Sequence, residues 1–203
     1  MRDGDISGEG MSQIMKVEKN VVAGFLLFVG SLQCILGIIV AEALYPSYST
    51  SQNYISDLGV GPSSFIFNFS LITIGVLGAI ASYFIHHMFK RRDFTFLLMM
   101  GSIGAIGVGS FPENVGRAHT AFSLVVFLFT GLAAVWSYSV EEPPFSYFYA
   151  ILGGIALVAL ALFGVEIHLG LGRGGMERLI AYPELLWVMG FGSRLSARTL
   201  KPK

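Results

Sequence analysis

The sequence has few charged residues and a single cysteine. Of its 203 residues, 13% are charged and 54% are hydrophobic, whereas a soluble domain carries about 25% charged residues. This deficit, together with apolar runs of about twenty residues, is typical of a protein that crosses the membrane several times. Because Cys34 is the one cysteine, an intrachain disulfide and a metal centre built from several thiolates are excluded. The formal net charge of zero predicts no nucleic-acid partner.

Six apolar segments are long enough to be membrane spans. At a rise of 1.5 Å per residue, about 20 helical residues cross a hydrocarbon core of about 30 Å. The sequence therefore predicts an all-α, polytopic bundle of six transmembrane helices within residues 21–200, after a mobile cytoplasmic tail at residues 1–20. Pro183 should kink the last helix or free a carbonyl there. The predicted spans are residues 21–44, 65–84, 94–110, 119–138, 145–165 and 177–197.

The basic residues predict the orientation in the cell membrane. Of the 13 Lys and Arg residues, all but Arg117, Arg173 and Arg178 lie beside the two termini or in the 84–94 connection. The positive-inside rule then places both termini in the cytoplasm. The connection at residues 139–144 is cytoplasmic as well, although it contains no basic residue.

Ionisable residues collect at the predicted outer boundary, where a charge next to hydrocarbon is costly. They come from three separate external segments, which a six-helix bundle can bring together into one pocket. Such a pocket would bind or transport a lipid or a small polar solute. We expect Arg178 and Glu184 to be ion-paired, with each other or with other ions of this layer. The candidate ligand-binding residues are Asn53, Asp57, Arg117, His119, His168, Arg178 and Glu184.

Other interpretations of the same residues stay open. Asn53 and Asp57 are also favoured in turns and helix caps, and Arg117 is also suited to anchoring a helix at the interface. An enzyme acting on lipid or isoprenoid substrates would use His119 as acid and base, with Asp57 or Glu113 orienting it. No Ser-His-Asp order and no HExxH motif supports this enzyme. A structural or regulatory membrane protein without catalysis is a further alternative.

We expect no cofactor and no metal site. Haem or a divalent metal bound by His119 and His168 is the less favoured alternative, because two histidines near one surface are a weak signal. The expected partners are membrane lipids and the pocket's own ligand, and the oligomeric state is left open.

Three segments carry a resemblance to a known family. They are NYISDLGVGPSSFIFNFSLITIG, then GVGSFPENVGRAHTAF, and then a Gly-Met-Glu-Arg helix start with Trp187 downstream. From Val21 onward the chain resembles the archaeal and bacterial membrane family known as domain of unknown function 998. The resemblance implies a multi-span membrane protein and supplies no activity. A looser likeness to membrane-embedded metal hydrolases of the alkaline ceramidase type fails, because those use three histidines and only His119 and His168 lie on the outer side.

Overall fold

The apolar runs fold into helices, and the short segments between them contain the turn-forming Gly, Pro and Ser residues. The computed structural model describes residues 8–198, with side chains from residue 19 onward. It contains no strand within residues 8–198, so the predicted all-α class is confirmed. The helices are α1 (Gly8–Leu44), α2 (Ser64–Phe89), α3 (Arg92–Ser110), α4 (Arg117–Trp136), α5 (Phe145–Gly164) and α6 (Gly172–Ala197).

Five helical segments are long and apolar enough to cross a membrane. The five are Lys19–Leu44, Ser64–Phe89, Arg92–Ser110, Arg117–Ser139 and Phe145–Gly164. Large apolar side chains on their outer faces are exposed, and Phe65 is exposed to 78%. In a multi-pass membrane protein, such side chains are in contact with lipid. Helix α6 is as long as α2, but it contains five charged side chains where α2 has no Asp, Glu, Lys or Arg, and it is not one of these five segments.

Two helices, α1 and α6, begin five or more residues earlier than the sequence predicts, whereas the other starts agree within two residues. Helix α1 begins at Gly8, so residues 8–20 of the predicted tail are helical. Residues 1–7 lie outside the described residues, and the mobility of the tail stays a prediction. Helix α6 begins at Gly172, so glycines expected in a loop form its first turn instead. Pro183 lies inside α6 and removes the N–H that would donate to the carbonyl of Leu179.

The helices form a closed ring in chain order, because each packs on the next and α6 packs back on α1. One end of this ring, here the loop end, carries the connections 45–63, 111–116 and 165–171. The other, here the terminal end, carries the connections 90–91 and 137–144. One apolar cluster of the core includes Phe94, Tyr149, Trp187 and Phe191, all fully or almost fully buried. Its side chains bring α3, α5 and α6 together.

Candidate functional site

The first connection, residues 45–63, folds over the loop end of the ring. Asn53 stabilises the turn at residues 49–53, because its side-chain oxygen accepts from Ser49 N at 3.0 Å. The Asn53 amide nitrogen donates to Asp57 Oδ2 at 3.0 Å, and Tyr54 N donates to the same oxygen at 3.0 Å. Both predicted ligand residues of this loop therefore stabilise its turns, which is the structural role that their residue types favour.

Arg178 of α6 connects this loop to α1. Its Nη2 donates to the Glu42 carboxylate and to the Tyr48 hydroxyl, the latter at 2.7 Å. Its Nη1 donates to the carbonyls of Thr50 at 2.9 Å and Gly174 at 3.0 Å. The expected ion pairing of Arg178 is confirmed, and its partner is Glu42. Only a planar guanidinium presents enough N–H groups to bind all these oxygens at once.

Tyr48 and Gly174 make further contacts between α6 and the first connection. The Tyr48 hydroxyl accepts from Arg178 and donates to the Tyr54 carbonyl at 2.7 Å, and burial raises the pKa of Tyr48 to about 12. Gly174 N donates to the Ser51 carbonyl at 3.0 Å. A Cβ at residue 174 would lie 1.9 Å from the Asn53 carbonyl oxygen, so only glycine allows this close approach.

Two further carboxylates bind the short 3-10 turn at Ser56–Gly59. Glu177 of α6 is buried and accepts from Ile55 N at 2.5 Å. Glu113, from the connection between α3 and α4, accepts from Ser56 Oγ at 3.1 Å. Burial, followed by the contact with the Asp57 carboxyl, raises the pKa of Glu113 to about 7. Acids from two distant parts of the chain thus hold this turn in place.

The remaining predicted residues at the loop end lie apart from these contacts. His119 is buried, and its Nδ1 lies 2.8 Å from the Phe111 carbonyl, at the end of α3. Arg117 is exposed and makes no hydrogen bond or ion pair with the described residues. The ring of His168 packs edge-on against Phe163. Within residues 19–198, no three His, Cys, Asp or Glu side chains are grouped so that they could hold a metal ion.

A cavity lies inside the ring, beneath the loop end. The cavity has a volume of about 120 Å³. Every helix except α5 contributes to its lining, and Ile55 and Ser56 of the first connection close one side. The lining is mostly apolar and contains no Lys, Arg or His. Its polar side chains are Ser56, Ser102, Ser123, Thr130, Glu177 and Glu184.

Glu177 and Glu184 line the cavity together because of helix periodicity. Seven residues advance a helix by about two full turns, so both carboxyls lie on one face, about 10 Å apart along the axis. Arg178 is rotated by about 120° from Glu184 and therefore lies on the side of α1. Glu184 is 4% exposed, and its Oε1 has no hydrogen-bond partner among the described residues. The expected ion pairing of Glu184 is wrong for the described residues, since Glu184 forms no ion pair among them and Arg178 is paired with Glu42.

The predicted set of site residues omits several ions that are buried or partly buried. Glu42 and Glu177 belong to the predicted outer layer but lie outside this set, although the seven-residue spacing of Glu177 and Glu184 is a usable signal for a shared face. At the terminal end, buried Glu141 accepts from Arg194 at 3.1 Å and lies 2.8 Å from Arg198. No local pattern indicates these pairs, because their members are far apart in the chain.

The comparison with protein families adds one match. A model of the family described as "Protein of unknown function (DUF998)" matches residues 28–194. The chain belongs to the DUF998 family. The DUF998 match runs from within α1 to near the end of α6, so it includes the Arg178 contacts and every lining residue of the cavity except Leu27. The resemblance carried by the three sequence segments is therefore confirmed.

Comparison with curated proteins and with solved structures gives no match. Membership in DUF998 brings no activity with it. Only the geometry of its own residues therefore bears on the function of this DUF998 protein.

Proposed function

We propose that the protein is a six-span membrane protein that binds a lipid or a lipid-like small molecule in the cavity within its helix ring. The observation that carries this proposal is an apolar cavity into which two buried carboxyl groups project. An apolar lining favours an alkyl or isoprenoid body over a fully polar solute, because the few polar groups can satisfy only a small head.

The proposed sixth crossing is α6. It lies between α5 and α1 in the ring, and three of its charged residues, Glu177, Arg178 and Glu184, are buried against neighbours instead of facing outwards. Charged side chains that face the interior of a bundle are compatible with a membrane span. Six crossings place both termini on one side, and the distribution of Lys and Arg supports the cytoplasm as that side.

In this orientation the loop end is extracytoplasmic, and the cavity lies beneath it. The Arg178 contacts hold residues 45–63 over the cavity. In this proposal, Arg178 and Asn53 position the first connection over the cavity, and Glu184 contacts the ligand. His119 and Arg117 have no part in the cavity lining, so a contribution from them would require a second contact region.

Native mass spectrometry of the protein extracted from membranes tests this proposal. Two adjacent leucines of α6 provide a matched pair, since Leu185 lines the cavity and Leu186 is 47% exposed on the outside. The wild type and Leu186→Trp are expected to retain a bound lipid-like mass, and Leu185→Trp is expected to lose it because the indole occupies the cavity. Equal retention by both variants, or no bound mass in the wild type, would contradict the proposal.

A structural or regulatory role without a ligand is the second candidate. The contacts of Asn53, Asp57, Glu113 and Arg178 favour it, because these residues already bind one another or other groups of the first connection. A wild-type protein that never carries a bound molecule, yet loses stability when these contacts are removed, would favour this role. The enzyme and haem alternatives stay predictions.

A further inference from the structure

Glu184 differs from the other carboxylates packed within the ring. Glu42 has Arg178 as its partner, and Glu141 has two arginines. Glu177 accepts a backbone N–H. Glu184 has no cation among the described residues, and one of its oxygens, Oε1, lacks any hydrogen-bond donor. A buried carboxyl in this state costs free energy unless a donor reaches it.

A donor for Oε1 can approach from the cavity side. On its α4 side, the Glu184 carboxyl faces the backbone N–H of Gly131, and a Cβ on Gly131 would be 3.2 Å from Oε1. The cavity side is open, and Glu184 is part of its lining. A bound molecule is therefore in a position to donate to this oxygen.

The other polar groups of the lining restrict the charge of that molecule. Ser102, Ser123 and Thr130 offer hydroxyl oxygens, and the Ser102 hydroxyl already donates to the Leu98 carbonyl at 2.8 Å, which leaves its oxygen free to accept. No basic side chain lines the cavity. A phosphate or carboxylate head would therefore meet carboxylates without a compensating cation, whereas an ammonium head has three N–H donors for such acceptors.

We propose that the cavity is selective for a lipophilic amine, whose protonated head is bound by Glu184 and whose apolar body lies along the α1, α2 and α3 lining. This inference rests on the proposed function and names the class of ligand. The ammonium group supplies the counter-ion that Glu184 lacks, and the charge-assisted hydrogen bond is stronger than one to a neutral head.

Binding of octylamine, octanol and octanoate to the purified protein tests the inference, because the three probes share one chain and differ in the head. Thermal shift and the fluorescence of Trp187, which lines the cavity, provide two readouts. We expect octylamine to bind at least about tenfold more tightly than either other probe, as one charge-assisted bond allows. Glu184→Gln should reduce octylamine to the affinity of octanol, and Glu142→Gln, at an exposed acid outside the cavity, should not.

The possible results distinguish a failure of the amine inference from a failure of the proposed function. If all three probes bind equally and all are weakened by Leu185→Trp but not by Leu186→Trp, the cavity binds lipophilic molecules and the amine inference is wrong. If Leu185→Trp weakens none of them, the proposed function fails as well. The order of the three heads in the wild type is informative by itself, so the test does not depend on the folding of the Glu184→Gln protein.

Discussion

At the scale of single residues, Arg178 holds the loop end together. It contacts α1 through Glu42, the first connection through Tyr48 and the Thr50 carbonyl, and its own helix through Gly174. Removing one member of such a pair leaves the other as an uncompensated charge away from water, which is more costly than the pair itself is favourable.

We therefore predict that Glu42→Gln and Arg178→Gln each lower the free energy of unfolding by about 3–5 kcal/mol. The double variant should lose clearly less than the sum of the two, because neither charge is then left alone. Equilibrium unfolding in mixed micelles measures all three values. Arg91→Gln, which breaks an ion pair whose side chains are about 40% exposed, is the control and should leave the free energy of unfolding nearly unchanged, because water screens an exposed pair. Additive losses in the double variant would show that the two residues act independently.

The ion pairing of single residues is only partly predictable from the sequence. An arginine and an acid at membrane depth require partners, and this argument correctly predicts an ion pair for Arg178. It fails for Glu184, because the rotation of α6 decides which residue faces α1 and which faces the cavity. The choice of Glu42 as the partner depends on α1 and α6 being neighbours, which only the closed ring determines.

At the scale of elements, the first turn of α6 lies directly against the first connection. Gly174 N donates to Ser51, and the Gly174 Cα lies where a side chain would overlap the Asn53 carbonyl. Backbone atoms on both sides cannot yield as a flexible side chain can. The position of the first connection over the cavity therefore depends on the absence of a side chain at residue 174.

Gly174→Ala is accordingly predicted to displace residues 45–63 from α6. We expect a lower melting temperature and faster cleavage of this connection by an added protease, because its carbonyls lose Arg178 and Gly174 together. Gly154→Ala in α5 is the control, since a Cβ there meets no atom within 4 Å, and it should leave both readouts unchanged or slightly improved. Identical cleavage rates for the two variants would show that the loop tolerates a side chain at residue 174.

Element boundaries were predictable where hydropathy and helix length agree. The start of α5 at Phe145 and the end of α3 at Ser110 coincide with the predicted positions. The starts of α1 and α6 differ because they depend on other forces. Residues 8–20 are polar yet helical, and Gly172 and Gly174 join α6 where they contact the loop. Local propensity, which disfavours glycine in helices, gives the opposite indication.

At the scale of the whole molecule, the proposed topology predicts which positions reagents reach from outside the cell. In a Cys34→Ala background, Gln52→Cys should react with a membrane-impermeant maleimide in intact cells. Glu142→Cys and Ala197→Cys, exposed at the terminal end, should react only after lysis. Position 197 tests the crossing of α6, because a five-span protein would leave it on the same side as position 52. Labelling of Ala197→Cys in intact cells would show that α6 does not cross.

The closed ring has a consequence for how the protein is assembled in the cell. The arginines that compensate Glu42 at one end and Glu141 at the other come from α6 or the residue just after it. Since synthesis proceeds from the N-terminus, the first five helices exist for a time with uncompensated acids near both membrane surfaces. The arrival of α6 neutralises both ends in one step. An unfinished chain that lacks α6 would thus carry an unpaired carboxylate at each end of the bundle.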